Sequence, residues 1–178
     1  MIKIQLKILF TLIIYFLIVF PSYLQVDSTS NDNLNLLDSN GQKIGLWIEN
    51  DGLNEVYYKD GKRNGIFKSY YGKNRRLSGF GEYINGNRTG NWYYFNENGQ
   101  IVMIESEISN NVDLQILRDD GELVTPEFKS FVSLYYPNGV IKEQGTALYN
   151  EDIEIDFYKY GTWNYYDQEG NLIKVEDH

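Results

Sequence analysis

Thr89-Gly90-Asn91-Trp92-Tyr93-Tyr94-Phe95-Asn96-Glu97-Asn98-Gly99-Gln100-Ile101-Val102-Met103 decides the fold of this chain. Two runs rich in aromatic and β-branched residues flank Asn98-Gly99. Asn-Gly predicts a two-residue type I′ hairpin turn, because both central residues need φ > 0, which Gly adopts freely and Asn tolerates. Such a turn pairs Glu97 with Gln100, Asn96 with Ile101, Phe95 with Val102, Tyr94 with Met103 and Tyr93 with Ile104. Alternation then sends Trp92, Tyr94, Ile101 and Met103 to one face and Tyr93, Phe95, Val102 and Ile104 to the other. Both faces are apolar. A lone hairpin is marginal in water, and burying one aromatic ring is worth roughly 4–6 kcal/mol, so neighbouring hairpins are expected to cover this one.

The rest of the chain supplies those neighbours. Gly45-Leu46-Trp47, Gly65-Ile66-Phe67, Gly90-Asn91-Trp92 and Gly161-Thr162-Trp163 repeat Gly, one residue, then a large aromatic. In the last three, Tyr70, Phe95 and Tyr166 follow three residues later; the first has Asn50 there. Gly99, Gly139 and Gly170 head turns, and each is followed two residues on by an aliphatic: Ile101, Ile141 and Leu172. Tyr58-Lys59-Asp60-Gly61-Lys62-Arg63-Asn64-Gly65 and Tyr83-Ile84-Asn85-Gly86-Asn87-Arg88-Thr89-Gly90 link successive units with Tyr, Gly and Gly at the same offsets. Leading glycines 20 and 25 residues apart set a period typical of repeat architectures. The interval from Gly90 to Gly161 has room for a further copy. The Gly139 unit fills it, with Ser130 for the leading glycine and Val132 for the aromatic, and Asp119-Asp120-Gly121 offers one more turn. Thr125-Pro126-Glu127 resembles a helix start, but Val132 to Tyr136 aligns with the repeat strand and is read as strand.

These three signatures, from Gly41 to Val175, resemble the bacterial variant of MORN repeats, which includes antitoxin-like repeat proteins. The resemblance implies an all-β chain: repeated antiparallel hairpins forming a meandering single sheet, with interaction rather than catalysis as its usual role. Ser130 in place of Gly, the out-of-register Gly52 and Gly72, and the long stretch from Tyr149 to Tyr160 depart from the pattern.

Ahead of the repeats, Met1 to Lys7 carries two lysines and no acid, and Ile8 to Phe20 is uncharged and apolar but for Thr11 before Pro21-Ser22. That is the pattern of a secretory signal, shorter than the ~20 residues that a spanning helix needs. Residues 1–26 are therefore expected to form a hydrophobic helix acting as signal peptide or uncleaved anchor, 27–40 a polar linker and 41–178 the repeat domain. The working part is expected outside the cytoplasm, secreted, periplasmic or envelope-associated, with membrane contact only through an uncleaved N-terminal segment.

Net charge is −9, a sign that repels phosphate backbones and anionic headgroups, so nucleic acid is not an expected partner. Cysteine is absent and the one histidine is His178, which removes thiolate, Ser-His-Asp and multi-histidine metal chemistry from consideration. Asp152, Glu154 and Asp156 would share one face of a strand, where oxygen ligands suit Ca²⁺. The simpler reading is a charged edge that discourages strand pairing. No catalytic residue, cofactor or metal is assigned. The expectation is an exported, non-enzymatic module that binds another protein through Trp47, Tyr70, Trp92, Tyr94, Tyr135, Trp163 and Tyr166. The alternative is a cell-wall or glycan-binding module, since Gly90 to Gly99 is similar to ligand-caging aromatic hairpin repeats. A third reading is neutralisation of a toxin.

Overall fold

The computed structural model describes residues 33–118, 120–150, 153 and 156–178. The N-terminal helix, the cleavage question and the first part of the linker lie outside the described residues, as do Asp152 and Glu154 of the acidic run.

The chain is all-β, and its strands are β1 (Leu36–Leu37), β2 (Lys43–Glu49), β3 (Asn54–Lys59), β4 (Lys62–Tyr70), β5 (Leu77–Ile84), β6 (Asn87–Phe95), β7 (Ile101–Asn110), β8 (Ile116–Leu117), β9 (Leu123–Val124), β10 (Phe128–Tyr135), β11 (Ile141–Tyr149), β12 (Tyr158–Tyr166) and β13 (Leu172–Asp177). Eleven of them form one antiparallel sheet in the order β1-β2-β3-β4-β5-β6-β7-β10-β11-β12-β13. Each strand of this meander pairs with its predecessor. The single interruption is β8 and β9, a small hairpin between β7 and β10 that forms its own two-stranded sheet. Of the turn expected at Asp119-Asp120-Gly121, the described residues Asp120 and Gly121 belong to this insertion and not to the large sheet. Leu36 and Leu37, in the stretch read as linker, pair with Ile44 and Lys43 as the first strand of the sheet.

The turns differ from the expectation in type. Gly99 N–H bonds to the Asn96 carbonyl at 2.8 Å, and Asn96 N–H to the Gln100 carbonyl at 2.9 Å. The loop is thus one residue longer than a two-residue turn. Gly99 alone takes the left-handed conformation, at φ +80°, and Asn98 does not. Phe95 therefore faces Ile101, and a bulge between Tyr94 and Phe95 restores the predicted pairs Tyr94–Met103 and Tyr93–Ile104. The same geometry closes the turns at Gly41, Gly139 and Gly170. At Gly99 it is supported by Asn96 Oδ1, which accepts the Asn98 and Gln100 N–H groups, a bond set that a two-residue turn has no room for. The two-residue turns with two left-handed residues sit in the links, at Asp60-Gly61 and Asn85-Gly86, where Lys59 pairs with Lys62 and Ile84 with Asn87.

One face of the sheet holds the core. Its central row runs Trp47, Val56, Phe67, Gly81, Trp92, Glu105, Val132, Gly145, Trp163, Glu176. Bulky rings alternate with small or aliphatic residues as far as Trp92, and Glu105, Val132 and Gly145 then separate it from Trp163. Trp92 lies so close over Gly81 that an alanine Cβ there would stand 2.3 Å from the indole, and Trp163 lies over Gly145 at 2.6 Å. Packing rings over strand glycines fills the notch that glycine leaves in the pleat. Trp92, Tyr94 and Met103 are buried on this face as predicted, whereas Ile101 is exposed because it sits beyond the bulge. In the C-terminal half, buried Ile153 joins the core and Phe157 stacks on Trp163 at 5.9 Å.

Candidate binding surface

Each complete repeat carries a basic residue two positions before its leading glycine: Lys43, Arg63, Arg88 and Lys159. In a regular strand, residues four apart are separated by about 13 Å. Here the glycine takes φ > 0, +64° at Gly90, and the strand buckles. Phe80 pairs with Tyr93 but Glu82 with Thr89, so two extra residues of β6 bulge out. The same skip occurs in β4 and β12. Buckling returns the cation over the aromatic four residues on, at 4.2 Å for Lys43 on Trp47, 4.0 Å for Arg88 on Trp92 and 4.6 Å for Lys159 on Trp163. Arg63 instead covers Tyr83 at 5.3 Å. The unit beginning at β10 departs from this. Ser130 and Val132 carry no bulge, which moves to Glu107 of β7 at φ +54°.

Carboxylates complete the clusters. Arg88 Nη2 donates to Glu105 Oε2 at 2.5 Å and also bonds the Tyr94 hydroxyl. Tyr94 donates to the same oxygen at 3.1 Å, and Tyr149 donates to Oε1 at 2.5 Å. Glu105 is fully buried, with both oxygens satisfied. Burial, and then the charge of Glu105, push the Tyr149 hydroxyl well above the usual phenol range, so it stays a donor. The first repeat repeats the scheme nearer solvent. Lys43 and Tyr58 donate to Glu49 Oε1, and Arg63 lies 3.5 Å from Oε2.

Glu49 links this cluster to pH. Burial works to raise its pKa, but the hydrogen bonds from Lys43 and Tyr58 and the charges of Lys43 and Arg63 together hold it below the ordinary 4.5. A lowered carboxyl pKa contributes stability that is present above the unfolded value and lost as pH falls through the folded one. The urea midpoint should thus drop more between about pH 5 and about pH 3 in the natural chain than in Glu49→Gln. Equal drops would show that Glu49 contributes nothing.

Two surfaces remain for a partner. On the core face, a groove of about 500 Å³ is lined by Asn50, Asn54, Arg63, Phe67, Ser69, Tyr70, Ser78, Gly79, Tyr83, Arg88, Trp92 and Tyr94. Its wall carries two arginines, two amides and several hydroxyls. The buried indole N–H of Trp92 has no hydrogen-bond partner among the described residues. On the opposite face, a row runs Ile48, Glu55, Lys68, Phe80, Tyr93, Ile104, Ser133, Gln144, Asn164, Val175. Phe80, Tyr93 and Ile104 are half-buried in its middle, beside Tyr57 at 45% and Ile66 at 38% exposure.

The seven residues named from the sequence do not form one surface. Trp47, Trp92, Tyr94 and Trp163 lie on the core face, and the last three are buried there, so their side chains hold the fold. Tyr70 borders the groove at the strand end and donates to Glu55 of the opposite row at 2.9 Å, and the Tyr166 hydroxyl accepts from Gln144 of that row. Tyr135 follows Leu134 of the core face and is half-buried. Sequence reading missed Tyr57, Ile66, Phe80 and Tyr93 as a patch, and the four cations. The basic residue two before each glycine was a visible signal for the cations. For the patch, alternation gave only the Tyr93–Ile104 pair; its alignment with Phe80, Ile66 and Tyr57 depends on the bulges, which decide which alternate residues meet across strands. Among the described residues, no group of three or more His, Asp or Glu is placed to hold a metal ion.

Fold and surfaces together define a β-hairpin repeat protein built on a single antiparallel sheet. No protein-family model and no curated protein matches the chain.

Proposed function

We propose that this chain is an exported, non-enzymatic MORN-like repeat module that binds another protein through the face opposite its core. The patch of Tyr57, Ile66, Phe80, Tyr93 and Ile104 carries this reading. A sheet with its rings packed over glycines on one face has no folding need for exposed rings and aliphatics on the other, and contiguous exposed apolar surface of this kind marks interaction sites. Extracytoplasmic localisation rests on Ile8 to Phe20, and the MORN-like reading on the Gly-x-Trp and Tyr-x-x-Gly-x-x-x-Gly signatures.

In-cell photocrosslinking from position 57 should give a discrete protein adduct that Ile66→Lys abolishes while far-UV circular dichroism stays unchanged. Failure of Ile66→Lys to reduce the adduct would sink the proposal. A second reading has its own observation. The core-face groove, with amides, hydroxyls, arginines and an unpaired indole N–H beside half-buried rings, suits a wall glycan. If the protein pellets with purified wall polymer and Asn54→Ala releases it, this reading replaces the first. Antitoxin-like neutralisation is a special case of protein binding, in which the crosslinked partner is a toxin exported to the same compartment.

A further inference from the structure

We propose that the β13 edge pairs with β13 of a second copy of this chain, antiparallel about a two-fold axis at Val175. The β12–β13 hairpin is the structural twin of β6–β7. Trp163 faces Glu176 as Trp92 faces Glu105, Tyr165 faces Lys174 as Tyr94 faces Met103, and Tyr166 faces Leu172 as Phe95 faces Ile101, with the bulge at the same step. The outer edge of β7 is taken by β10. That of β13 is taken by no described strand, and Leu172, Ile173 and Val175 are 55%, 63% and 56% exposed. An unpaired edge with three large aliphatics is a template for another strand.

The other edge of the sheet offers less to such a strand, because its edge strand β1 is two residues long. Leu36 and Leu37 pair with β2, Asn35 N–H bonds the Leu46 carbonyl at 2.9 Å, and Asn35 Oδ1 accepts Ile48 N–H at 2.7 Å. Pairing of β13 with β13 of a second copy brings like edges together, which is the isologous arrangement of a closed dimer. The sequence of β13 is self-complementary in that arrangement. Antiparallel pairing centred on Val175 sets Lys174 opposite Glu176 twice, on the face where the two already lie 2.7 Å apart within the strand. On the other face, Val175 lies directly opposite its symmetry mate, and Ile173, opposite Asp177 of the second copy, reaches that Val175 diagonally.

Sedimentation of the full chain over a concentration series should show a monomer–dimer equilibrium. Lys174→Glu and Glu176→Lys, each alone, set like charges opposite one another and should weaken the dimer about tenfold or more, while the double swap restores it. Should either single variant fail to fold by circular dichroism, the other together with Ile173→Lys carries the test, since Ile173→Lys should also give monomers. A natural chain that stays monomeric overturns the proposal, as does association that both single swaps leave unchanged, which would place the contact elsewhere. Open-ended higher oligomers would overturn it in favour of head-to-tail pairing.

Discussion

Gly81→Ala should destabilise the chain by about 3 kcal/mol, more than almost any other glycine-to-alanine change in the sheet. The added Cβ would lie 2.3, 2.4 and 2.8 Å from three atoms of the Trp92 indole, and the ring has nowhere to retreat. Arg88 lies over it, and Phe67 and Tyr83 are packed against it at 5.3 and 5.0 Å between ring centroids. The backbone of Gly81 is not left-handed, so the cost is overpacking and not strain. Gly99→Ala is the comparison. There φ is +80° but nothing lies within 4 Å of the new atom, so only the left-handed penalty of about 1–2 kcal/mol applies. Urea midpoints would order the two variants, and tryptophan emission of Gly81→Ala should shift to the red as Trp92 is displaced. Trp92→Leu should cost less in the Gly81→Ala background than in the natural one, because the two substitutions relieve the same clash. Additive effects, or a Gly81→Ala as mild as Gly99→Ala, would show that the ring-over-glycine contact does not hold the sheet.

Arg88→Met should cost about 3–5 kcal/mol, because it leaves Glu105 charged and buried with only the Tyr94 and Tyr149 hydroxyls to compensate. Arg88→Met combined with Glu105→Gln should be closer to the natural chain than Arg88→Met alone, since no buried charge is left behind. Denaturant titrations of the natural chain and the two variants at neutral pH measure this. If the double variant is less stable than Arg88→Met at neutral pH, the cluster is not held together by charge compensation. Of the four cationic clusters, this one should be the most sensitive. The Lys43–Glu49 pair is part-exposed, and solvent screening limits what such pairs contribute.

Much of the architecture was legible in the residues. Gly-x-Trp, the turn glycines and the Tyr-x-x-Gly-x-x-x-Gly links give antiparallel hairpins in series, because glycine tolerates backbone conformations that other residues avoid and aromatic runs favour pleated surfaces. Val132 to Tyr136 was read as strand against a local helix signal, and β10 is a strand. The turn at Asn98-Gly99 was placed correctly but given the wrong type. The preference for Asn-Gly in two-residue turns is local, whereas the choice here depends on the Asn96 side chain bonding two N–H groups across the loop. The candidate surface was less legible. Trp92, Tyr94 and Trp163 look alike as binders or as core, since a large ring serves either role.

The sequence by itself determined that the chain builds β-hairpins in tandem, where they turn, and that rings and cations recur at fixed offsets. Those are properties of single residues and near neighbours. Only the tertiary structure decided that the Gly90-type bulges turn Arg88 back over Trp92, that Gly81 and Gly145 lie beneath indoles, and that Glu105 is sealed between Arg88 and two tyrosines. It also decided which of the two apolar faces of the Thr89 to Met103 hairpin is core, burying Trp92 and Tyr94 and leaving Tyr93 in the opposite row. The physical reason is register. A bulge of one or two residues shifts every later cross-strand pair, and no local signal in the sequence records how many residues a neighbouring strand will skip.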